Sequence, residues 1–162
     1  MITKEVILEK INSNQSLNYE DFMLIDGKMP HQEISSPLMF ACNNNDYDLV
    51  YKIIQHGVDV NYENKGWQGW RALRYAFFNA ADSRILKLLL SQSDIDCCFT
   101  LVDGRDLIES SMTSLRDPVR LKISSKNVSV MLKSGKIPEL HINKNKLRYL
   151  KAGVSSFCEE VL

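Results

Sequence analysis

The 162-residue chain lacks any long hydrophobic run. Its apolar stretches are short, such as Ile85-Leu86 and Leu88-Leu89-Leu90, whereas a membrane-spanning helix needs about 20 apolar residues in a row. The opening Met1-Ile2-Thr3-Lys4-Glu5 has none of the apolar core that marks a secretory leader. The expectation is a cytoplasmic protein without membrane attachment, with signal-less secretion left open. Glycine and proline are sparse, at 7 and 4 residues, and 44% hydrophobic with 25% charged residues is globular composition. Collagen, coiled coil and wholesale disorder are thereby disfavoured. A net charge of +0 argues against a polycation built for nucleic acid.

Chemistry-bearing patterns are equally scarce. The four cysteines, Cys42, Cys97, Cys98 and Cys158, contain no Cys-x-x-Cys pair, so neither a zinc ribbon nor a redox motif is indicated. They read as small apolar residues of a core or turn in a reducing compartment. His31, His56 and His141 are far apart in the chain, without the spacing of a metal site. Dinucleotide, phosphate-loop and nucleophile-elbow motifs are absent. Asp103 and Asp106 beside Arg105 suit a turn better than an acid/base pair. The reading is therefore no catalytic residues, no metal, no cofactor and no enzyme.

What the chain does have is uneven charge and a repeat. Residues 1–115 carry a net −6, residues 116–151 a net +8, and the last eleven −2. Sliding the sequence by 35 places Leu38 on Leu73 and Ile108, and Ala41 on Ala76 and Ser111. It also pairs Val50 with Ile85, Ile53 with Leu88, Ile54 with Leu89 and Gly69 with Gly104. Ser36-Pro37 combines a good N-cap with a residue preorganised for the first helical turn. Leu38, Ala41 and Cys42 then form one stripe, Asn43-Asn44-Asn45-Asp46 breaks the helix, and Leu49, Val50, Ile53 and Ile54 form a second stripe ending at Gly57. Ala72–Phe77 and Ile85–Leu90 repeat the plan. Neither hairpin buries its stripe alone, so such units stack side by side.

Ser36-Pro37-Leu38-Met39-Phe40-Ala41-Cys42, continued by Leu49 to Asn61, resembles one complete ankyrin repeat. Ser36 stands for Thr, Met39 for His and Cys42 for Ala in the Thr-Pro-Leu-His-x-Ala-Ala opening. Val58 stands for Ala in the Gly-Ala-Asp-Val-Asn close. Residues 69–96 resemble a degraded second repeat, with Ala72 for Pro and Arg74 for His. Asp103-Gly104-Arg105-Asp106 resembles the turn opening a third, whose second half beyond Met112 is not recognisable. The resemblance covers about residues 34–112. It implies an all-α, ankyrin-type helical-hairpin solenoid, and a second repeat weakened by losing the Thr-Pro-x-His hydrogen bonds at Arg71 and Arg74.

A single domain is expected, with residues 1–33 as a helical N-terminal cap, 34–112 as repeats and 113–162 as a helical C-terminal cap with eroded repeats. Thr3 caps a first helix carrying Val6, Ile7 and Ile11, and Tyr19–Ile25 forms a second, ended by Gly27. Val128–Leu132 before Gly135, and Leu147–Leu150 before Gly153, each resemble the second helix of a repeat. Pro118 and Pro138 mark breaks.

The resemblance implies binding of a protein partner through turn tips and the concave face. Both tryptophans lie in the connection from Tyr62 to Arg71. The candidate contacts there are Tyr62, Glu63, Lys65, Trp67, Gln68, Trp70 and Arg71, extended by Phe78 and Arg105, because aromatics and arginine dominate binding energy. The competing reading folds Trp67 or Trp70 back over the repeats as a lid. Tyr75 is read as core. The partner-binding reading fits a small bacterial or viral inhibitor, an immunity-like protein or a host-targeting factor, monomeric when free. The alternative is a binder of nucleic acid or of an acidic surface through residues 116–151, although nucleic acid is disfavoured because only Tyr149 there offers a stacking ring.

Overall fold

The computed structural model describes residues 2–18, 36–64, 69–79, 82–113 and 118–151. The anticipated helix at Tyr19–Ile25 with Gly27, the terminator Gly153, His31 and Cys158 lie outside the described residues. Eight helices are described: α1 (Lys4–Asn12), α2 (Pro37–Asn43), α3 (Tyr47–Gln55), α4 (Ala72–Asn79), α5 (Ser83–Leu90), α6 (Leu107–Thr113), α7 (Pro118–Lys133) and α8 (Glu139–Lys151). The fold is all-α, and its contacts divide the chain into two compact units, residues 1–89 and 90–162.

In the first unit, Thr3 caps α1 by accepting from the Val6 N–H at 3.3 Å. Of the expected apolar face only Ile7 is fully buried; Val6 and Ile11 are half-buried. The helix packs on α3, and Lys4 Nζ reaches Asp46 Oδ2 at 2.6 Å. Ser36 accepts from the Met39 N–H at 3.2 Å, and Pro37 opens α2, as the sequence leads one to expect. Asn45 turns the chain with φ 53°, a left-handed conformation that asparagine tolerates better than most residues. Asp46 then caps α3 through the Leu49 N–H at 3.1 Å. Gly57, at φ 87°, follows the end of α3.

The second hairpin, α4 and α5, repeats the first. Small residues at Ala41 and Ala76, both completely buried, let α2 and α4 pack against each other. The turns are tied as well, since Asn45 Oδ1 accepts from the Asp82 N–H at 3.1 Å. The Arg84 guanidinium lies 4.4 Å from the centroid of the Tyr47 ring. Tyr75 is core, as expected. One detail of the period differs from a uniform 35. First helices begin 35 residues apart, at Pro37, Ala72 and Leu107, but α3 and α5 begin 36 apart, at Tyr47 and Ser83. α4 is one residue longer than α2. Consequently Leu49, Val50, Ile53 and Ile54 correspond to Ile85, Leu86, Leu89 and Leu90, all buried, while Leu88 is only half-buried.

In the second unit, Ile95, Cys97, Phe99 and Leu101 are buried along an extended segment. It leads to the Asp103-Gly104-Arg105-Asp106 turn, where Arg105 N–H donates to Asp103 Oδ1 at 3.0 Å and Gly104 has φ 77°. Asp106 caps α6 through the Glu109 N–H at 2.9 Å. α6 packs on α7 and on α8. Asn127, Val128, Met131 and Leu132 are buried on α7, so the paired spacing of a second helix reappears, followed by Gly135 at φ 70°. Pro118 and Pro138 mark helix starts: Pro118 opens α7 and Pro138 immediately precedes α8. α8 does not behave as the second helix that Leu147–Leu150 suggested, because Leu147 and Leu150 are exposed at 64% and 39%.

Candidate functional site

The described ends of the Tyr62–Arg71 connection, 62–64 and 69–71, are tied to each other. An isolated antiparallel bridge joins Asn64 and Trp70, with the Asn64 N–H donating to the Trp70 carbonyl at 2.9 Å. Gly69 makes the return at φ 69°; a Cβ there would meet Glu63 Oε1 at 3.2 Å. Arg71 and Glu63 pair across the base at 3.5 Å. A second bridge, Thr100 with Asp106, gives the same device before α6.

Trp70 is half-buried and folds back on α4. Its ring meets Tyr75 edge-on, with centroids 5.3 Å apart and planes at 71°. The Arg74 guanidinium lies 5.1 Å from its centroid, and Arg74 is only 2% exposed. A cation over an indole face is favourable, more so when desolvated. The lid reading therefore has support at Trp70: its ring packs on α4, and the residue as a whole is half-buried. The contact of Arg74 with the Trp70 ring was not apparent from sequence, where Arg74 figured only as a lost histidine. The readable signal was Arg74 at four residues from Trp70, at the start of a helix.

Of the candidate contacts, Tyr62, Glu63, Trp70 and Arg71 share this hairpin in the first unit. Tyr62 also lines a cleft of about 160 Å³ with Leu17, Pro37 and Val58. Lys65, Trp67 and Gln68, and the side chain of Phe78, lie outside the described residues. Arg105 belongs to the second unit, where its guanidinium pairs with Asp103 Oδ2 at 2.5 Å.

The second unit holds a buried polar cluster that sequence reasoning missed. Asp106 Oδ2 accepts from the Tyr149 hydroxyl at 2.5 Å and from His141 Nε2 at 3.2 Å. Burial, then the Asp106 carboxylate, pushes the Tyr149 hydroxyl well above its ordinary value. Asn145 completes the stripe, its amide donating to the His141 carbonyl at 3.0 Å. Arg148 spans from the Gly104 carbonyl (2.9 Å) to Glu109 Oε2 (2.6 Å). The cluster joins α8 to the start of α6. Burial also raises the Cys42 and Cys98 thiols and lifts Cys97 to about 11, which suits packing rather than nucleophilic chemistry. Along α7, Lys122, Lys126 and Lys133 line a groove of about 430 Å³ with Ser125, Ser129 and Val130.

No helix among the described residues is long and apolar enough to cross a membrane. No curated protein and no solved structure matches the chain. A family profile described as "Ankyrin repeats (3 copies)" matches residues 11–100. The match begins upstream of Ser36, within the segment read from sequence as a cap, and stops just before the Asp103 turn. That match spans more than half of the chain, and the chain belongs to the ankyrin-repeat family.

Proposed function

We propose that the chain is a non-catalytic binding module whose contact with a partner protein centres on the Tyr62–Arg71 hairpin. Ankyrin repeats are in general protein–protein interaction modules. The observation that supports this hairpin in particular is the way Trp70 is held. Tyr75 and Arg74 fix the indole, so little side-chain freedom remains to be lost when a partner covers its exposed part. The Glu63–Arg71 ion pair at the same connection adds charged groups that help select the partner's orientation. A small inhibitor, immunity-like protein or host-targeting factor fits such a contact, because an anchored aromatic with charged neighbours suits one specific protein surface.

Single replacement of Trp67, Trp70 and Arg71 by Ala tests this reading. At least one folded variant is expected to weaken capture of the partner tenfold or more, the range of a central anchor. Unchanged affinity in all three, with helical circular dichroism retained, would reject the hairpin. A second reading, an acidic or nucleic-acid surface on residues 116–151, is supported by the three lysines sharing the α7 groove. Phosphate contacts release counterions, so that affinity for a short nucleic acid would fall steeply as salt rises. A protein partner gripped through Trp70 would show a shallow salt dependence.

A further inference from the structure

α8 shows two unlike faces. His141, Asn145 and Tyr149 face the start of α6, through the Asp106 cluster described above. On the other side Leu140 and Leu147 are 80% and 64% exposed, with Leu150 beside them. At about 100° per residue these leucines fall within an arc of roughly 80°, and they run along about 15 Å of helix. Lys144 and Lys151, both exposed, border the ridge within about 40° of it. Residues 139–151 carry Lys144, Lys146, Arg148 and Lys151 against Glu139, a net +3.

We propose that this ridge is a docking surface for an acidic amphipathic helix of a partner protein, separate from the contact at the Trp70 hairpin. This narrow strip of leucines, interrupted by the exposed Asn143, is complementary to the apolar stripe of another helix that leaves a polar residue opposite Asn143, and such stripes anchor at three- and four-residue intervals. The lysines choose the sign: a helix with Glu or Asp beside its apolar stripe meets Lys144 and Lys151 favourably, and a basic one is repelled. Charge also selects against the other occupants. A second copy docking symmetrically would bring Lys144 and Lys151 against their own counterparts. Nucleic acid gains nothing from aliphatic side chains, which neither stack on bases nor bond phosphate. A lipid surface takes helices whose apolar and polar faces are sharply divided, and α8 is much less divided in this way than α3 or α5.

The test selects binders to the full chain from a displayed library of helical peptides, with all surface positions randomised, and measures them by fluorescence anisotropy. Selected peptides are expected to carry an apolar stripe flanked by Glu or Asp. Their affinity should fall tenfold or more with Leu147→Asp, and severalfold with Lys144→Glu combined with Lys151→Glu, while Trp70→Ala leaves it unchanged. Leu140→Gln serves as a second, milder disruption should Leu147→Asp lower helicity. Peptides without acidic flanks, or acidic ones indifferent to these substitutions, would overturn the proposal. So would binding of the full chain to phosphatidylserine vesicles that Leu147→Asp abolishes. A dimer in sedimentation that Leu147→Asp dissolves would assign the ridge to a second copy. Gain of peptide affinity in Glu159→Lys combined with Glu160→Lys would assign it to the chain's own last residues.

Discussion

Arg74 is a long cation held almost entirely out of water, against the face of Trp70. Such a placement needs compensating contacts, since an unpaired buried charge is costly, and the Trp70 ring supplies one of them. Asp106 poses the matching case for an anion. Its carboxylate caps α6 and accepts from Tyr149 and His141, whose positions are 43 and 35 residues away. The turn at Asp103–Asp106 was legible from its residue types, but no local pattern announces partners so distant. Removing the hydroxyl with Tyr149→Phe is expected to cost about 1–3 kcal/mol, the usual penalty for a lost buried hydrogen bond. A pH effect follows. Folded Tyr149 keeps its proton above the ordinary value near 10, so stability is complete below that pH and is lost as pH rises beyond it. Cys97, lifted to about 11 by burial, adds loss of the same sign. Urea midpoints between pH 8 and 11 should therefore fall less steeply in Tyr149→Phe than in the parent chain; an identical slope would contradict the buried hydrogen bond.

Helices are the scale at which the sequence is most informative. Ser36-Pro37 and Asp46 announce two helix starts, and the paired apolar positions of α3 announce which face is buried. The same signals fail where spacing changes. A single added residue in α4 moves the second helix of that repeat to a 36-residue offset, so Leu89 rather than Leu88 occupies the position of Ile53. Leu89→Ala is accordingly expected to cost about 2–5 kcal/mol, as for other fully buried leucines, and Leu88→Ala markedly less. Thermal unfolding of the two variants checks the register, and equal losses would argue for the uniform period. Beyond residue 100, where the family match ends, the interval is longer again. α5 and α7 bury their paired residues at 85–86 and 127–128, a separation that hides α7 from any fixed-period comparison. α8 misled for a related reason: Leu147 and Leu150 look like core spacing, but the helix buries its Asn145 and Tyr149 side instead.

Taken as a molecule, the chain is proposed to use two contact surfaces of different chemistry, one in each unit. The described residues of the first unit hold an indole packed against Tyr75 and Arg74, next in sequence to the Glu63–Arg71 pair. The second unit offers leucines bordered by lysines. The opposite net charges of the two parts, −6 over residues 1–115 and +8 over 116–151, were plain in the sequence. Which side chains make surfaces was not, because that depends on how Trp70 and α8 pack. The surfaces differ in their response to salt, shallow for the hairpin and steeper for the lysine-bordered ridge.

Amide hydrogen exchange of the free chain and of its complex with the captured partner is the most direct test of the hairpin contact. Added protection is expected at the hydrogen-bonded amides of Asn64 and Gly69 and at the first turn of α4. Protection confined to other segments, with exchange across residues 62–71 unchanged by the partner, would contradict the account.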